Sequence, residues 1–275
     1  MITQVDFGPR PPETVAHIKC RDYIVDELKK SCDSVHLQPF DHVWSVTGHN
    51  LHMWNIIGEQ NWQNAKVRVA LYAHWDTRPE ADQEQDPRKA MQPIPGADDG
   101  ASETAVLLEL ARVLKVEPAK VGVMYVFIDG EDVGPSEKEM YLGAMDFAKN
   151  PPKPKPDYGI LLDMIGNKGV QVPKEPNSEH YAPSLENALY LFAARIGLRD
   201  TFPDIEGPAI DDDHIPLNHA GMPTIDLIDF MGYQPYWHTL QDLPEHCSPD
   251  SLFKVGYLLQ AWLRKPQPYR IGGPT

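Results

Sequence analysis

Strand-length apolar runs alternate with helical stripes along most of the chain. The runs predict β-strands, at about 66–73, 121–128, 158–163 and 223–228. The spacing of apolar positions elsewhere predicts α-helices, at about 12–30, from Gly100 onwards, and at about 137–149, 183–197 and 250–264. This alternation is typical of a mostly parallel central sheet with helices on both faces. We therefore expect an α/β fold, with residues 1–275 forming a single domain.

Each predicted strand is followed by acidic residues or a histidine. In chain order these are His74 and Asp76, then Glu131 and Asp132, then Asp163, then His238. In an open α/β sheet, the carboxyl ends of the strands share one edge, and ligands bind there. Carboxylates and imidazoles gathered at that edge suit a divalent metal ion. The sequence therefore predicts a metal site assembled from distant segments.

The pair Glu131-Asp132 is the most informative of these segments. Two adjacent carboxylates at the end of a buried strand repel each other and lose hydration. This is costly unless the pair shares a cation or one member holds a proton. One carboxylate would then bind metal, while its neighbour, with a raised pKa, would transfer protons. The alternative interpretation is a solvated turn.

Two other segments carry less information on their own. Asp98-Asp99 precedes a predicted helix, where one acid can cap the helix and the second is left over for a ligand. Asp76 is placed to orient the ring of His74, because residues two apart on a strand face the same way. Alternatively, this His-x-Asp pair occurs by chance and has no functional role.

Three further positions have both a functional and a structural interpretation. Asp163 follows an apolar run, and a buried lone acid is rare without a partner, so a polar role is expected. The run Asp211-Asp212-Asp213-His214 offers four ligands, or it is a surface charge run. His238, between Trp237 and Thr239, is either a ligand or a structural histidine.

The loops after the site-bearing strands are long and polar, at about 75–97, 164–182 and 229–237. Loops of this length in a compact domain are usually functional or disordered. We therefore expect them to wall a pocket beside the metal site.

The net charge of −15, from 40 acidic and 25 basic residues, argues against nucleic acids and anionic membrane surfaces as partners. No apolar run approaches the ~18 residues that a bilayer span needs. The first residues lack the basic start and apolar core of a signal peptide. The location stays open: periplasmic or secreted if a signal was removed, cytoplasmic otherwise.

Cysteine spacing and absent motifs narrow the chemistry further. Cys20, Cys32 and Cys247 have no pair spacing suited to zinc or redox chemistry, so we expect buried inert thiols, with one disulfide as the alternative. The chain lacks His-Glu-x-x-His, Gly-x-Ser-x-Gly, a phosphate-binding Gly-Lys-Ser/Thr loop and Gly-x-Gly-x-x-Gly. These absences argue against zincins, serine hydrolases, nucleotidases and dinucleotide oxidoreductases.

In their order along the chain, these segments resemble the zinc aminopeptidase superfamily. Within it the closer resemblance is to the animal-type glutaminyl-peptide cyclotransferases (glutaminyl cyclases), especially their bacterial members. The stretches that carry it are 73–79, 127–132, 212–217 and 236–239, and the resemblance extends over about 7–263. Six motifs occur in the superfamily's order: His-x-Asp, Gly-Ala-x-Asp-x-Ala-Ser, Gly-Glu-Asp, Leu-Leu-Asp-Met-Ile-Gly, Asp-Asp-His and Trp-His-Thr. Together they are specific for the superfamily, and less so for a cyclase over a peptidase.

The resemblance implies that Asp99, Asp132 and His238 hold a catalytic zinc ion. In two-metal aminopeptidases, by contrast, the residues matching His74 and Asp163 hold a second zinc, with Asp99 bridging. Both residues are present, so the sequence leaves the number of zinc ions open.

The resemblance also implies roles around the metal. Glu131 matches the general acid/base, and Asp163 and Asp212 match acids of the cyclase hydrogen-bond network. Trp237 and Tyr233 correspond to aromatic residues that line the substrate pocket.

The chain departs from the family pattern at two points. Asp132 stands where many relatives carry Glu, although bacterial cyclase-like members also show Asp. The cysteine pair that braces the site of animal cyclases is replaced by Ala73 and Thr104. This removes a stabilising bridge and leaves the chemistry unaffected.

The activity that the resemblance implies is zinc-dependent conversion of an N-terminal glutamine of a peptide into pyroglutamate, with release of ammonia. The alternative is a co-catalytic zinc aminopeptidase that hydrolyses the first peptide bond. Either enzyme would take peptide substrates with a free N-terminus. A third hypothesis, a non-catalytic metal-binding or peptide-binding domain, requires loss of the acid/base, whereas Glu131 is present.

Overall fold

The computed structural model describes residues 1–231 and 234–265. The strands are β1 (Ser34–Val43), β2 (Asn50–Gln60), β3 (Arg68–His74), β4 (Gly122–Ile128), β5 (Tyr158–Asp163) and β6 (Thr224–Ile228). The helices are α1 (Ile2–Asp6), α2 (Val15–Ser31), α3 (Pro87–Ala90), α4 (Ala101–Val116), α5 (Leu142–Lys149), α6 (Pro176–Tyr181), α7 (Pro183–Arg195), α8 (His214–His219) and α9 (Pro249–Arg264).

The strands form a six-stranded sheet in the order β1-β2-β4-β3-β5-β6. The neighbours among β4, β3, β5 and β6 pair in parallel, whereas β2 is antiparallel to β1 and to β4. The α/β class is confirmed, and the parallel part of this mixed sheet consists of the four predicted strands. The sequence pattern does not predict β1 and β2. The edge strand β1 has only exposed and half-buried residues, so it carries no apolar run.

Strand β3 lies between β4 and β5 and brings the ends of the parallel strands together. Its register places His74 opposite Ile128 of β4 and Tyr72 opposite Leu161 of β5. Every residue from Val69 to His74 is buried, as expected for a central parallel strand. The acids that follow β4 and β5 therefore lie beside the end of β3.

Helices cover both faces of the sheet, as predicted. On one face, apolar side chains of α2, α4, α7 and α9 share a core with alternate residues of the strands, including Leu28, Leu107, Leu189 and Leu259. On the other face, α5 and α8 pack on the opposite side chains through Phe147 and Leu217.

Several predicted boundaries shift for local reasons. Helix α2 begins at Val15 because Thr14 caps it: the Thr14 hydroxyl oxygen accepts the backbone N–H of His17 at 3.1 Å. Helix α5 begins at Leu142, since Glu137–Glu139 forms a separate 3-10 turn. The long polar loops predicted at 75–97 and 164–182 contain the short helices α3 and α6.

The three thiols are free; Cys20 and Cys247 are buried as predicted, whereas Cys32 is half-buried. Burial raises the pKa of Cys20 to about 11 and that of Cys32 to about 12, so both stay protonated near neutral pH. Within residues 1–231 and 234–265, no helix has the length and apolar character required to cross a membrane.

The packing of α4 on the sheet predicts a large stability effect at one position. Leu107 is fully buried in the core. Replacing it with Ala should lower the free energy of unfolding by about 2–5 kcal/mol, because it removes buried methyl groups and leaves a cavity. The matched control is Val116→Ala at the exposed end of the same helix, where a change within about 0.5 kcal/mol is expected. Urea unfolding of both variants measures the difference, and equal losses would contradict this assignment of the core.

Candidate metal centre and active site

Three buried side chains from separate segments converge beyond the carboxyl ends of the strands. They are Asp99 before α4, Asp132 after β4 and His238 in the segment before α9, and one ligand atom of each lies within 4.8 Å of the other two. His238 Nε2 is 3.5 Å from Asp132 Oδ2 and 3.6 Å from Asp99 Oδ2. Asp132 Oδ2 is buried and has no hydrogen-bond partner among the described residues. A bound cation would satisfy this oxygen, and two carboxylates with one imidazole fit zinc.

The approach of α4 to β3 determines where Asp99 lies. Gly100 has φ of +101°, and a Cβ atom there would lie 2.5 Å from the carbonyl oxygen of Asp76. Only glycine tolerates both this backbone conformation and this contact. Asp99 is thereby held directly over the end of β3.

Two further carboxylates anchor the acidic pairs through their backbone. Asp76 accepts the N–H groups of Glu131 and Asp132, at 3.2 and 3.3 Å. Asp242 accepts those of Asp98 and Asp99, at 2.8 and 3.2 Å. Asp76 was expected to orient the ring of His74 through a direct contact. Asp76 Oδ1 lies 3.8 Å from His74 Nδ1, which is beyond hydrogen-bond distance.

Asp98 points away from the three converging ligands. Its oxygens accept the backbone N–H of Gly166 at 2.7 Å and the hydroxyl of Tyr236 at 3.0 Å. Burial, and then the charge of Glu103, raise the pKa of Asp98 to about 7. Asp98 therefore connects the start of α4 to the loops that follow β5 and precede His238, and it leaves Asp99 to face the metal site.

Glu131 lies in the wall of a cavity of about 90 Å³ beside the metal site. Asp163, Asp212 and Trp237 line the same cavity. Burial raises the pKa of Glu131 well above its usual value, and the charge of Asp132 adds to the shift. Burial also raises the pKa values of Asp163 and Asp212. The cavity thus offers carboxyl groups that hold protons more tightly than carboxyl groups in water do.

His74 lies in a second group of possible ligands, with Asp163 and Glu103. Its Nε2 atom is 3.1 Å from Asp99 Oδ1, 3.3 Å from Asp163 Oδ1 and 3.0 Å from Glu103 Oε1. Asp99 therefore lies between the two groups, with one oxygen towards each histidine. His74 is not among the residues that line the cavity.

The sequence pattern did not identify Glu103 as a site residue. It is fully buried in the first turn of α4, where its carboxylate accepts the N–H of Gly100 at 2.7 Å. An acid three residues after a glycine at a helix start is a capping signal, and this signal alone does not reveal a contact with His74.

The sequence also did not identify Arg78 and Asp82 as site residues. They contact two of the possible ligands, Asp132 and His238. Arg78 Nη1 donates to Asp132 Oδ1 at 2.5 Å, and Arg78 Nε donates to Asp82 Oδ2 at 2.8 Å. Asp82 Oδ1 is 3.1 Å from Nδ1 of His238. Burial opposes the shift, but the hydrogen bond with His238 and the charge of Arg78 lower the pKa of Asp82 to about 2. Both residues belong to the loop at 75–97, which was predicted to wall the pocket but contributes none of the residues that line this cavity.

Aromatic rings cover one side of His238. Trp237 stacks on it with ring centroids 3.9 Å apart, and Phe230 packs against Trp237 edge-on at 5.2 Å. Phe230, which also lines the cavity, was not singled out in the sequence. The other predicted pocket aromatic, Tyr233, lies outside the described residues.

The acidic run before α8 separates into residues with different environments. Asp212 lines the cavity, whereas Asp213 and His214 are fully buried. His214 Nε2 lies 3.3 Å from Glu175 Oε2, and His214 forms a third group of possible ligands with Asp212 and Asp226. The run is thus neither a surface charge run nor a single set of four ligands.

Comparisons with known proteins find relatives over most of the chain. Residues 55–263 match the family model described as Peptidase family M28. Among curated relatives, a glutaminyl-peptide cyclotransferase of Drosophila melanogaster is 27% identical over 91% of this chain and 78% of its own length. An aminopeptidase of Bacillus subtilis is 28% identical over 75% of this chain, which spans only 43% of that longer protein.

Solved structures resemble the chain over nearly its whole length. A glutaminyl cyclase of Bacteroides thetaiotaomicron has a TM-score of 0.91 at 35% identity, covering 97% of this chain and 95% of the other. A Zn-dependent exopeptidase of Parabacteroides distasonis has a TM-score of 0.92 at 35% identity, covering 96% and 95%. With the family model matching most of the sequence, the chain belongs to peptidase family M28.

Proposed function

We propose that the chain is a zinc-dependent glutaminyl cyclase that converts the N-terminal glutamine of a peptide into pyroglutamate and releases ammonia. The observation that carries the proposal is the position of Glu131: its carboxyl group lies in the cavity wall next to the group formed by Asp99, Asp132 and His238. The 35% identity to a bacterial glutaminyl cyclase over 97% of the chain supports it.

Asp99, Asp132 and His238 would hold the zinc ion. Bound zinc supplies an electrophile that polarises the side-chain amide carbonyl of the substrate glutamine. The cavity of about 90 Å³ beside these ligands leaves room for a small side chain only, so the reacting amide would be confined close to them. Trp237 forms one wall of this space, and Tyr233 is assigned to the pocket by resemblance.

Glu131 would carry the proton through the reaction. It takes a proton from the α-amine as the amine nitrogen attacks the amide carbon, and it delivers that proton to the amide nitrogen as the carbon–nitrogen bond breaks and ammonia leaves. Burial and the charge of Asp132 raise the pKa of Glu131, so its carboxylate is a stronger proton acceptor than an ordinary glutamate, which suits this role.

Asp163 and Asp212 would steady this proton transfer. Both carboxyl groups line the same cavity as Glu131, and burial raises the pKa of each. The reaction is intramolecular, so holding the amine near the amide carbon supplies a large part of the rate advantage.

A co-catalytic zinc aminopeptidase is the second candidate, and the group around His74 favours it. Asp99 is placed to bridge two ions, with one oxygen towards His74 and one towards His238. In that enzyme Glu131 would activate a water molecule. Against this candidate, His74 is not among the residues that line the cavity, and the Glu103 oxygen nearest to it already accepts a backbone N–H.

The role of Glu131 predicts the effect of one substitution. Glu131→Gln should reduce turnover of a Gln-peptide by at least ~100-fold, because the amide cannot carry the proton. The zinc content should stay unchanged, since Glu131 is not one of the three ligands. Ammonia release and metal analysis measure the two effects. The matched control is Glu137→Gln, on an exposed turn of the same segment, which should keep full activity. Full activity of the Glu131 variant would refute its role.

The two candidate enzymes predict different products and different zinc counts. Cyclisation of Gln-peptides with about one zinc ion per chain is expected, because Asp99, Asp132 and His238 all line the cavity whereas His74 is not among its lining residues. Hydrolysis of Leu- or Ala-chromogenic amides with about two zinc ions per chain would support the aminopeptidase instead. Mass spectrometry of the peptide, an amide-release assay and metal analysis on one preparation distinguish them, and neither activity would support a non-catalytic binding domain.

A further inference from the structure

We propose that Arg78 is a positioning residue of the metal centre, where it decides which atoms of Asp132 and His238 face the zinc ion. The inference rests on the zinc site proposed above. Arg78 is buried, and its guanidinium binds two carboxylates at once. Nη1 donates to Asp132 Oδ1 at 2.5 Å, and Nη2 and Nε lie 2.6 and 2.8 Å from Asp82 Oδ2.

These contacts leave one defined oxygen free on each carboxylate. Asp132 uses Oδ1 for Arg78, so its unpartnered Oδ2 is the atom that faces His238 Nε2, at 3.5 Å. Asp82 uses Oδ2 for Arg78, so Oδ1 is available to accept the Nδ1–H of His238, at 3.1 Å. With its proton held on Nδ1, the His238 ring presents the lone pair of Nε2 as a metal ligand.

Asp132, Arg78, Asp82 and His238 therefore form a ring of contacts that a bound metal ion would close. The ring runs from Asp132 through Arg78 and Asp82 to His238, and the gap between His238 Nε2 and Asp132 Oδ2 lies where the ion would bind. A shift of the guanidinium would move both ligands together. Because a buried ion pair is poorly screened, this coupling should persist at ordinary salt concentrations.

Arginine is specifically suited to this position. A planar guanidinium can donate to two carboxylates in fixed directions, whereas a lysine ammonium is a point charge on a flexible stem. The guanidinium also lies flat against the backbone of Gly134: a Cβ atom on Gly134 would lie 3.0 Å from its Cζ, Nη1 and Nη2 atoms. The site therefore restricts the orientation of the group as well as its charge.

The test measures metal binding rather than turnover. Zinc affinity is determined at fixed pH by competition with a chromogenic chelator, and ligand geometry by the visible absorption spectrum of the Co²⁺-substituted protein. Arg78→Lys should weaken zinc binding by about 10–100-fold, the usual cost of losing a partner behind a metal ligand. It should also change the Co²⁺ spectrum. The matched control is Arg88→Lys in the same loop, an exposed arginine paired with Asp86, which should leave both readouts unchanged.

Asp82→Ala tests the same ring from the side of His238. Asp82 is partly exposed, so its truncation should leave the fold intact and still weaken zinc binding by at least ~10-fold. Because the ring is broken in either single variant, the double variant Arg78→Lys/Asp82→Ala should lose less affinity than the product of the two single losses. If Arg78→Lys does not fold, Asp82→Ala decides the question.

The outcomes separate this inference from the proposed function. A folded Arg78→Lys or Asp82→Ala variant with wild-type zinc affinity and an unchanged Co²⁺ spectrum would overturn the role of the ring, while cyclase activity of the wild type could still stand. Wild-type protein that binds zinc tightly but does not cyclise Gln-peptides would overturn the proposed function and leave the ring supported. Wild-type protein that binds no zinc would overturn both.

Discussion

Buried negative charge at the carboxyl edge of the sheet is the constraint on which the site depends. Asp76, Asp99, Asp132 and Asp242 are each at most 4% exposed, and several other acids lie close to them. Carboxylates at this depth lose their hydration, and each needs a hydrogen bond, a counter-charge or a proton. The surrounding backbone and side chains are arranged so that these carboxylates receive hydrogen bonds or counter-charge.

Backbone N–H groups supply hydrogen bonds to some of these buried carboxylates. Asp76 and Asp242 each accept two backbone N–H groups of an acidic pair, one with each oxygen. These hydrogen bonds replace part of the lost hydration and also fix the backbone of both pairs. A cationic side chain supplies counter-charge to others, because Arg78 lies between Asp132 and Asp82. Asp132 Oδ2 has no hydrogen-bond partner among the described residues, so a bound metal ion would supply the missing positive charge there.

The connection between α4 and β3 keeps this arrangement rigid without a covalent link. Ala73 and Thr104 stand where the resemblance places a cysteine pair in animal cyclases. The hydroxyl of Thr104 donates to the carbonyl of His74 at 2.9 Å, so the helix and the strand are joined by a hydrogen bond at that point. Because Asp99 precedes α4 and His74 ends β3, the same contact holds the two groups of possible ligands together.

Periodicity and local chemistry in the sequence determined the parallel strands, the main helices and the identity of most acids at the site. An apolar run that ends on Glu131-Asp132 is a local pattern, and the parallel order of strands follows from the alternation with helices. Only the tertiary structure decided that β1 and β2 complete the sheet, that Asp98 turns away from Asp99, and that Glu103, Arg78 and Asp82 reach the ligands. The physical reason is that these contacts join segments far apart in the chain. Which oxygen meets which nitrogen depends on loop geometry that no spacing of residue types encodes.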